Sequence, residues 1–315
     1  MKIAFNMIGC GLGQNGGTRT IIKCAETLEK LGHRCDIIAT TDNFTWFNHK
    51  SVIPYIPSDL DVIIAASALD VLSTLNTRVP KKAWYIRAHE SWSMSNEKLA
   101  KRYNSGIINI VNSKGLQQKV SSFGANSKII YQGIDFDWWE DKKLRKDGVI
   151  RIGCLYTKQP RKRWKDFIKL AEILGHKDYE YVSMGNAQPA NKEGYFLKKH
   201  IFNVEHEELC DLYSSCDVWF APTENEGLHN VPMEANLCGC LVVCGDEPLN
   251  GMIYDYAFPN NTAMVYNKKD VEHAAELIRN PDWDLIKSMQ QYLKHHIGTR
   301  EDTMKKLVGY LNDNN

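Results

Sequence analysis

Apolar positions along this chain come in short blocks separated by polar, turn-rich stretches. Blocks with few charges recur at residues 2–8, 36–39, 62–65, 83–86, 107–111 and 128–131, and again at 149–155, 179–184, 200–204, 218–221, 241–244 and 262–265. Apolar runs of about four to eight residues bounded by turn signals predict strands buried on both faces. Between them the period changes. Residues 20–31, 164–174 and 300–311 carry apolar side chains at helical spacing, as in Met304, Leu307, Val308 and Leu311, which predicts amphipathic helices. Strands alternating with helices predict parallel, doubly wound sheets, and each half opens with the same strand–turn–helix unit. The pattern lapses at residues 140–148, "EDKKLRKDG", a charged stretch short of apolar residues. It predicts a boundary between two domains, 1–145 and 146–299, followed by a terminal helix over 300–315.

Composition agrees with two cores. The chain has 315 residues and 43% hydrophobic content, enough for two domains of ordinary size. A net charge of +1 gives no global attraction to nucleic acid or to a membrane surface. No apolar run approaches the roughly 20 residues that span a bilayer, and the start, MKIAFNMIGC, lacks a small-residue cleavage site after a long apolar core. A cytoplasmic location is expected. Nine cysteines include no C-x-x-C pair, and Cys24, Cys35, Cys154 and Cys244 fall in apolar patterns. Buried, reduced thiols are the expectation, rather than a disulfide framework or a zinc site.

Candidate chemistry concentrates around residue 230. The run Glu226-Gly227-Leu228-His229-Asn230-Val231-Pro232-Met233-Glu234 follows the apolar block 218–221, which Pro222 ends. Pro232 near the start and Gly239 just past the end delimit a short helix, so Glu226 lies on the loop and Glu234 in the first turns. A helix N-terminus attracts an anionic diphosphate through its free N–H groups and dipole. The two carboxylates are then available to the sugar hydroxyls and ribose diol beside it; acids that merely favour the dipole are the structural alternative. The run 158–165, "KQPRKRWK", carries five cations after the first strand of the second half. Arg161 or Lys162 could neutralise a departing phosphate, and the surplus cations could meet an acidic acceptor or a membrane surface. In the first half, Gly11-Leu12-Gly13-Gln14-Asn15-Gly16 matches G-x-G-x-x-G between a strand and a helix, and Asp42 could contact a ribose, as in a dinucleotide-binding oxidoreductase. The turn runs on through Gly17, however, and that reading leaves Glu226 and Glu234 unused. His89 follows the strand 83–86, at the carboxyl end where open sheets bind ligands; Arg87 and Glu90 beside it could pair with each other or hold an acceptor. Trp138-Trp139 reads as an apolar plug between the domains.

Residues 216–243, "CDVWFAPTENEGLHNVPMEANLCGCLVV", resemble the paired-glutamate signature of the retaining GT-B glycosyltransferases, family four in particular. Asn112-Ser113 with Gly115, the segment Ile130-Tyr131-Gln132-Gly133-Ile134-Asp135, and Ile152-Gly153 with Pro160-Arg161-Lys162 resemble further segments of that family, in its order. The resemblance implies a GT-B fold, two Rossmann-like doubly wound parallel-sheet domains facing a central cleft, with the terminal helix crossing back onto the first domain. It also implies a hexosyl transfer with retention of configuration, no metal and no cofactor, the donor substrate being a nucleoside-diphosphate sugar. By the same resemblance His89 and Glu226 are catalytic, and Gly16, Gly17, Arg161, Lys162, His229, Asn230 and Glu234 bind the donor. Cys154 replaces the family's arginine after the strand glycine, and Leu228-His229-Asn230 replaces its usual Phe-Gly-Leu. The acceptor is a hydroxyl of unknown identity: a glycan, a lipid-linked glycan, a small molecule or a modified nucleic-acid base. An epimerase of the same shape and an inactive binding protein are the other classes.

Overall fold

A computed structural model of the protein describes residues 1–146, 148–224, 226–246, 254–267 and 269–313. The chain divides into two compact units, Met1–Ile134 with Gly298–Asn315, and Asp135–Ile297. Each is built on one six-stranded parallel sheet.

In the first unit the strands are β1 (Lys2–Asn6), β2 (Arg34–Ile38), β3 (Val62–Ala65), β4 (Lys81–Ile86), β5 (Ile108–Val111) and β6 (Lys128–Ile129), in the order β2-β1-β3-β4-β5-β6. All four residues of β3 are buried, as the unbroken apolar run requires of a central strand covered on both faces. β1 lies between β2 and β3, so the chain leaves it first to one side and then to the other. That reversal is the topological switch point, where ligands of open sheets bind beyond the carboxyl ends of the strands. The loops meeting there are those after β1 and β3. The terminal helix Arg300–Asp313 packs into this unit's core through Met304, Leu307 and Leu311, and the Lys81 ammonium donates to the Leu311 carbonyl at 2.6 Å.

The second unit holds β7 (Ile150–Tyr156), β8 (Tyr179–Gly185), β9 (Lys199–Phe202), β10 (Val218–Ala221), β11 (Leu241–Gly245) and β12 (Met264–Tyr266), in the order β12-β11-β10-β7-β8-β9. Here β7 is flanked by β8 and β10, and the loops after β7 and β10 meet at the switch point. At Gly153 in β7 an added Cβ would lie 2.4 Å from the Trp219 ring of β10, so the glycine admits the indole.

The division falls at Ile134–Asp135, earlier than the charged stretch suggested. That stretch is spent inside the second unit: the Arg145 guanidinium donates to the carbonyls of Cys216 (3.1 Å) and Cys238 (2.9 Å) and pairs with Asp141 (2.9 Å). The Lys142 and Leu144 N–H groups donate to Ser214. Asp147 lies outside the described residues. The two neighbouring tryptophans differ: Trp139 is buried and packs on Tyr213 of the second unit with ring centroids 5.8 Å apart, while Trp138 is exposed. Eight of the nine cysteines are buried. Among the described residues no helix is long and apolar enough to cross a membrane.

Candidate functional site

At the second unit's switch point the loop after β7 closes in a 3-10 turn, Pro160–Lys162. Arg163 then takes a left-handed conformation, φ 50°, before the helix Trp164–Leu174 begins. A non-glycine residue there is unfavourable, and the fold compensates by ionic contacts. The Arg163 guanidinium reaches Asp166 at 2.6 Å and Glu224, on the loop after β10, at 2.8 Å. The Glu224 N–H donates to the Arg161 carbonyl at 2.8 Å. These bonds join the two loops and bring together three groups that sequence reasoning had singled out separately. The Lys162 ammonium and the Arg161 guanidinium both donate to the same oxygen, Oε1, of Glu226.

This is a buried cluster. Lys162 is 7% exposed and the Glu226 side chain 14%. Burial alone would raise the Glu226 carboxyl, but Lys162 and Arg161 overcome it and hold the group at about 2. Burial lowers the Lys162 ammonium from its ordinary range, with Glu226 opposing that shift. Burial, then the charge of Lys162, pushes the His229 imidazole down to about 3, so it is neutral at ordinary pH. His229 is 7% exposed, and neither Nδ1 nor Nε2 has a hydrogen-bond partner among the described residues. Its ring leans on Tyr254 (centroids 5.7 Å, 50°), and Tyr254 stacks on Tyr256 (5.3 Å, 5°). The two phenols are tied back into the site: Tyr254 donates to the Thr223 carbonyl at 3.0 Å and Tyr256 to the His229 carbonyl at 3.1 Å.

His229 is the N-cap of the helix Asn230–Leu237. The helix starts two residues before Pro232, because its first turn needs no N–H partners and tolerates the proline at its third position. Gly239 closes the other end with φ 91°. Its N–H donates to the Asn236 carbonyl at 2.8 Å and that of Cys240 to the Ala235 carbonyl at 2.9 Å, the paired bonds of a Schellman cap. Glu234, in the second turn, is 6% exposed, and Asn230 is half-buried at the helix start.

In the first unit, Gly16 and Gly17 open the helix Gly16–Lys30, capped by the Asn15 side chain, which accepts from the Thr18 N–H at 2.9 Å. An added Cβ on Gly17 would lie 3.0 Å from Arg87 Nη1 and from Asn15 Oδ1, a tight contact, whereas one on Gly16 would meet nothing within 4 Å. The Asp42 carboxylate is engaged by the Phe44 N–H (3.2 Å) and by His49 (3.5 Å). His89 is buried with both ring nitrogens engaged, Nδ1 with the Tyr103 hydroxyl at 3.1 Å and Nε2 with Asn96 Oδ1 at 2.8 Å. Burial lowers it below its ordinary range. Arg87 and Glu90 turn to the backbone instead of to each other. Arg87 donates to the Gly17 and Ala66 carbonyls, and both Glu90 oxygens accept from the Ala68 N–H at 3.2 Å. Burial raises the Glu90 carboxyl to about 7 against the pull of that N–H and of Arg87. Asp70 accepts from the Gly9 N–H (2.6 Å) and the Ser67 hydroxyl (2.7 Å), and burial raises it as well.

Sequence reasoning missed Glu224 and Arg163, whose pairing links loops 61 positions apart, and Asp70, Tyr254 and Tyr256. The i, i+2 tyrosines were the one local signal, an aromatic pair in a stretch with no other strand pattern.

Residues 137–281 match the family of glycosyl transferases group 1. Among curated proteins, none matches the sequence. Several solved structures share the fold over almost the whole chain. Sucrose-phosphate synthase from Thermosynechococcus elongatus superposes with a TM-score of 0.81 at 14% identity, over 99% of this chain and 98% of that one. HepE of Anabaena, solved in complex with UDP and glucose, gives 0.75 at 14% identity over 99% and 100%. An alpha-glucosyltransferase solved with UDP and a 13-mer DNA containing an HMU base gives 0.68 at 15% identity, over 99% of each chain. The family match lies within the second unit, and the superpositions show that the chain as a whole has the GT-B fold of these structures.

Proposed function

We propose that the protein moves a hexosyl group from a nucleoside-diphosphate sugar to a hydroxyl acceptor with retention of anomeric configuration. The observation that carries this reading is the convergence of Lys162 and Arg161 on one carboxylate, beside a helix N-terminus, at the second unit's switch point. Two cations held together by a carboxylate are ready to take a diphosphate in its place, and a buried ammonium meets charge with little screening. Arg161 takes the part of the family's arginine where Cys154 stands.

In the reaction the bond between the anomeric carbon and the β-phosphate oxygen breaks, and its electron pair stays on that oxygen. Lys162 and Arg161 neutralise the charge as it develops. The acceptor oxygen bonds to the oxocarbenium-like carbon on the face the phosphate leaves, and the acceptor proton passes to the departing phosphate. Glu226, released from the cations, accepts from sugar hydroxyls, and Glu234 from the ribose diol, since a carboxylate takes two hydroxyl donors well. Asn230 lies at the donor helix start, and the Gly16 and Gly17 N–H groups are offered to an anionic substrate oxygen. The first unit takes the acceptor: His89, neutral and oriented by Tyr103 and Asn96, lies on the same loop as Glu90.

Incubation with a panel of nucleotide sugars and hydroxyl acceptors, followed by NMR of the product, tests the reading. A glycoside with the donor's anomeric configuration is the expected product. Inverted product overturns retention, and donors interconverted without release of nucleoside diphosphate indicate an epimerase. Because one protein of this fold was solved with modified DNA, the acceptor panel includes duplex DNA with hydroxymethylated pyrimidines, and transfer to it would place the acceptor in nucleic acid.

A further inference from the structure

Among the described residues, the two nitrogens of one buried ring, His229, have no hydrogen-bond partner. Polar groups taken out of water are paired in nearly all native structures, so a buried imidazole with both nitrogens idle points to a partner from outside the chain. His229 is walled in by protein: Tyr254 leans on its face, and its own carbonyl is held by Tyr256. It stands directly before the helix Asn230–Leu237, and the charges of Lys162, Glu226 and Arg161 all act on it.

The chemistry of the missing partner follows from that company. A phosphate oxygen only accepts, so it would leave the lone-pair nitrogen of a neutral imidazole unpaired. An imidazolium could give two N–H groups to phosphate, but a further positive charge beside Lys162 and Arg161 is unfavourable. A neutral ring offers one donor and one acceptor. Sugar hydroxyls, which both give and take a hydrogen bond, match it at either nitrogen. We propose that His229 reads the hydroxyl configuration of the transferred sugar, one nitrogen donating to a sugar hydroxyl and the other accepting from one. The proposal rests on the donor reading above and adds which part of the donor the residue recognises. A site built to hydrogen-bond a substrate hydroxyl discriminates strongly, because the wrong epimer leaves its buried polar groups unpaired.

The test compares the wild-type protein with His229→Ala and His229→Gln. UDP, GDP and ADP are titrated by calorimetry to find the preferred nucleotide, and its glucose and galactose conjugates are then compared in binding and in kcat/KM. In His229→Ala the nucleoside diphosphate should bind within about twofold of wild type, while the preferred nucleotide sugar weakens by about tenfold, as for the loss of one hydrogen-bond pair. The ratio of kcat/KM between the two epimers should fall by at least tenfold. His229→Gln, which keeps a donor and an acceptor, should recover part of that ratio; it carries the comparison if the alanine variant is unstable. In the wild-type protein the His229 ring nitrogen signals should move further on adding nucleotide sugar than on adding nucleoside diphosphate alone. Equal weakening of diphosphate and nucleotide sugar, or an unchanged epimer ratio in both variants, overturns the proposal and leaves the donor site standing. No binding of any nucleoside diphosphate to the wild-type protein removes the donor reading, and this proposal with it.

Discussion

The two sheets reverse direction at equivalent places, yet the loops gathered there carry opposite chemistry. In the first unit the loops after β1 and β3 bring together Asp70 and, through the Ala68 N–H, Glu90, two carboxyls whose burial raises them, Glu90 to about 7. In the second unit the loops after β7 and β10 bring together Lys162 and Arg161 on Glu226, a carboxyl held at about 2. The histidines contrast in the same way. His89 has a partner on each nitrogen, and His229 has none among the described residues. One architecture thus carries buried carboxyls at one switch point and paired cations on a carboxylate at the other. What separates them is which side chains the loops carry, not the order of the strands.

Removing a donor contact should break the comparison most visibly. Glu234→Ala is expected to weaken nucleoside diphosphate binding by about ten- to a hundredfold, the loss of a charged hydrogen bond to a ribose, whereas Glu226→Gln should keep most of that affinity and lose turnover. Calorimetry alongside initial rates distinguishes them, and equal losses of affinity would erase the separate roles.

A smaller effect sharpens the contrast through pH. Glu226 and His229 both have folded values below their unfolded ones, so their stabilising contributions are lost on acidification: His229's as pH falls from 6.5 toward about 3, and Glu226's as it falls from 4.5 toward about 2. Glu90 has the opposite sign. Its folded value lies above 4.5, so its favourable contribution is complete below 4.5 and is lost as pH rises through about 7. Amide hydrogen exchange resolved by residue should show the loops of the second unit loosening in acid and those around Glu90 loosening toward pH 8. The same pH trend in both would contradict the assignment of charge.

The sheets were legible in the sequence because strands such as β3 and β10 are buried on both faces and read as unbroken apolar runs. Edge strands were less so: β2 begins at polar Arg34 and β6 is only two residues long. The unit boundary was misplaced because a charge run looks like a solvated linker until its contacts are known, and Arg145 spends its charge on Asp141 and on distant carbonyls. At the candidate site, local spacing beside a helix start singled out Glu226 and the cations, and the structure brings those side chains together. The Arg163–Glu224 link and the engagement of His89 by Tyr103 and Asn96 depend on side chains from separate elements, and leave no local periodicity.

The central claim is that Lys162 and its neighbours at the second unit's switch point hold the diphosphate, and that the buried carboxyls of the first unit do not. Calorimetric titration of the preferred nucleoside diphosphate into the wild-type protein, Lys162→Met and Glu90→Gln tests it directly. The account predicts affinity reduced at least tenfold in Lys162→Met and within about twofold of wild type in Glu90→Gln, as expected for loss of one charge-assisted hydrogen bond at the second unit's switch point only. Undiminished binding by Lys162→Met, or a loss confined to Glu90→Gln, would contradict it.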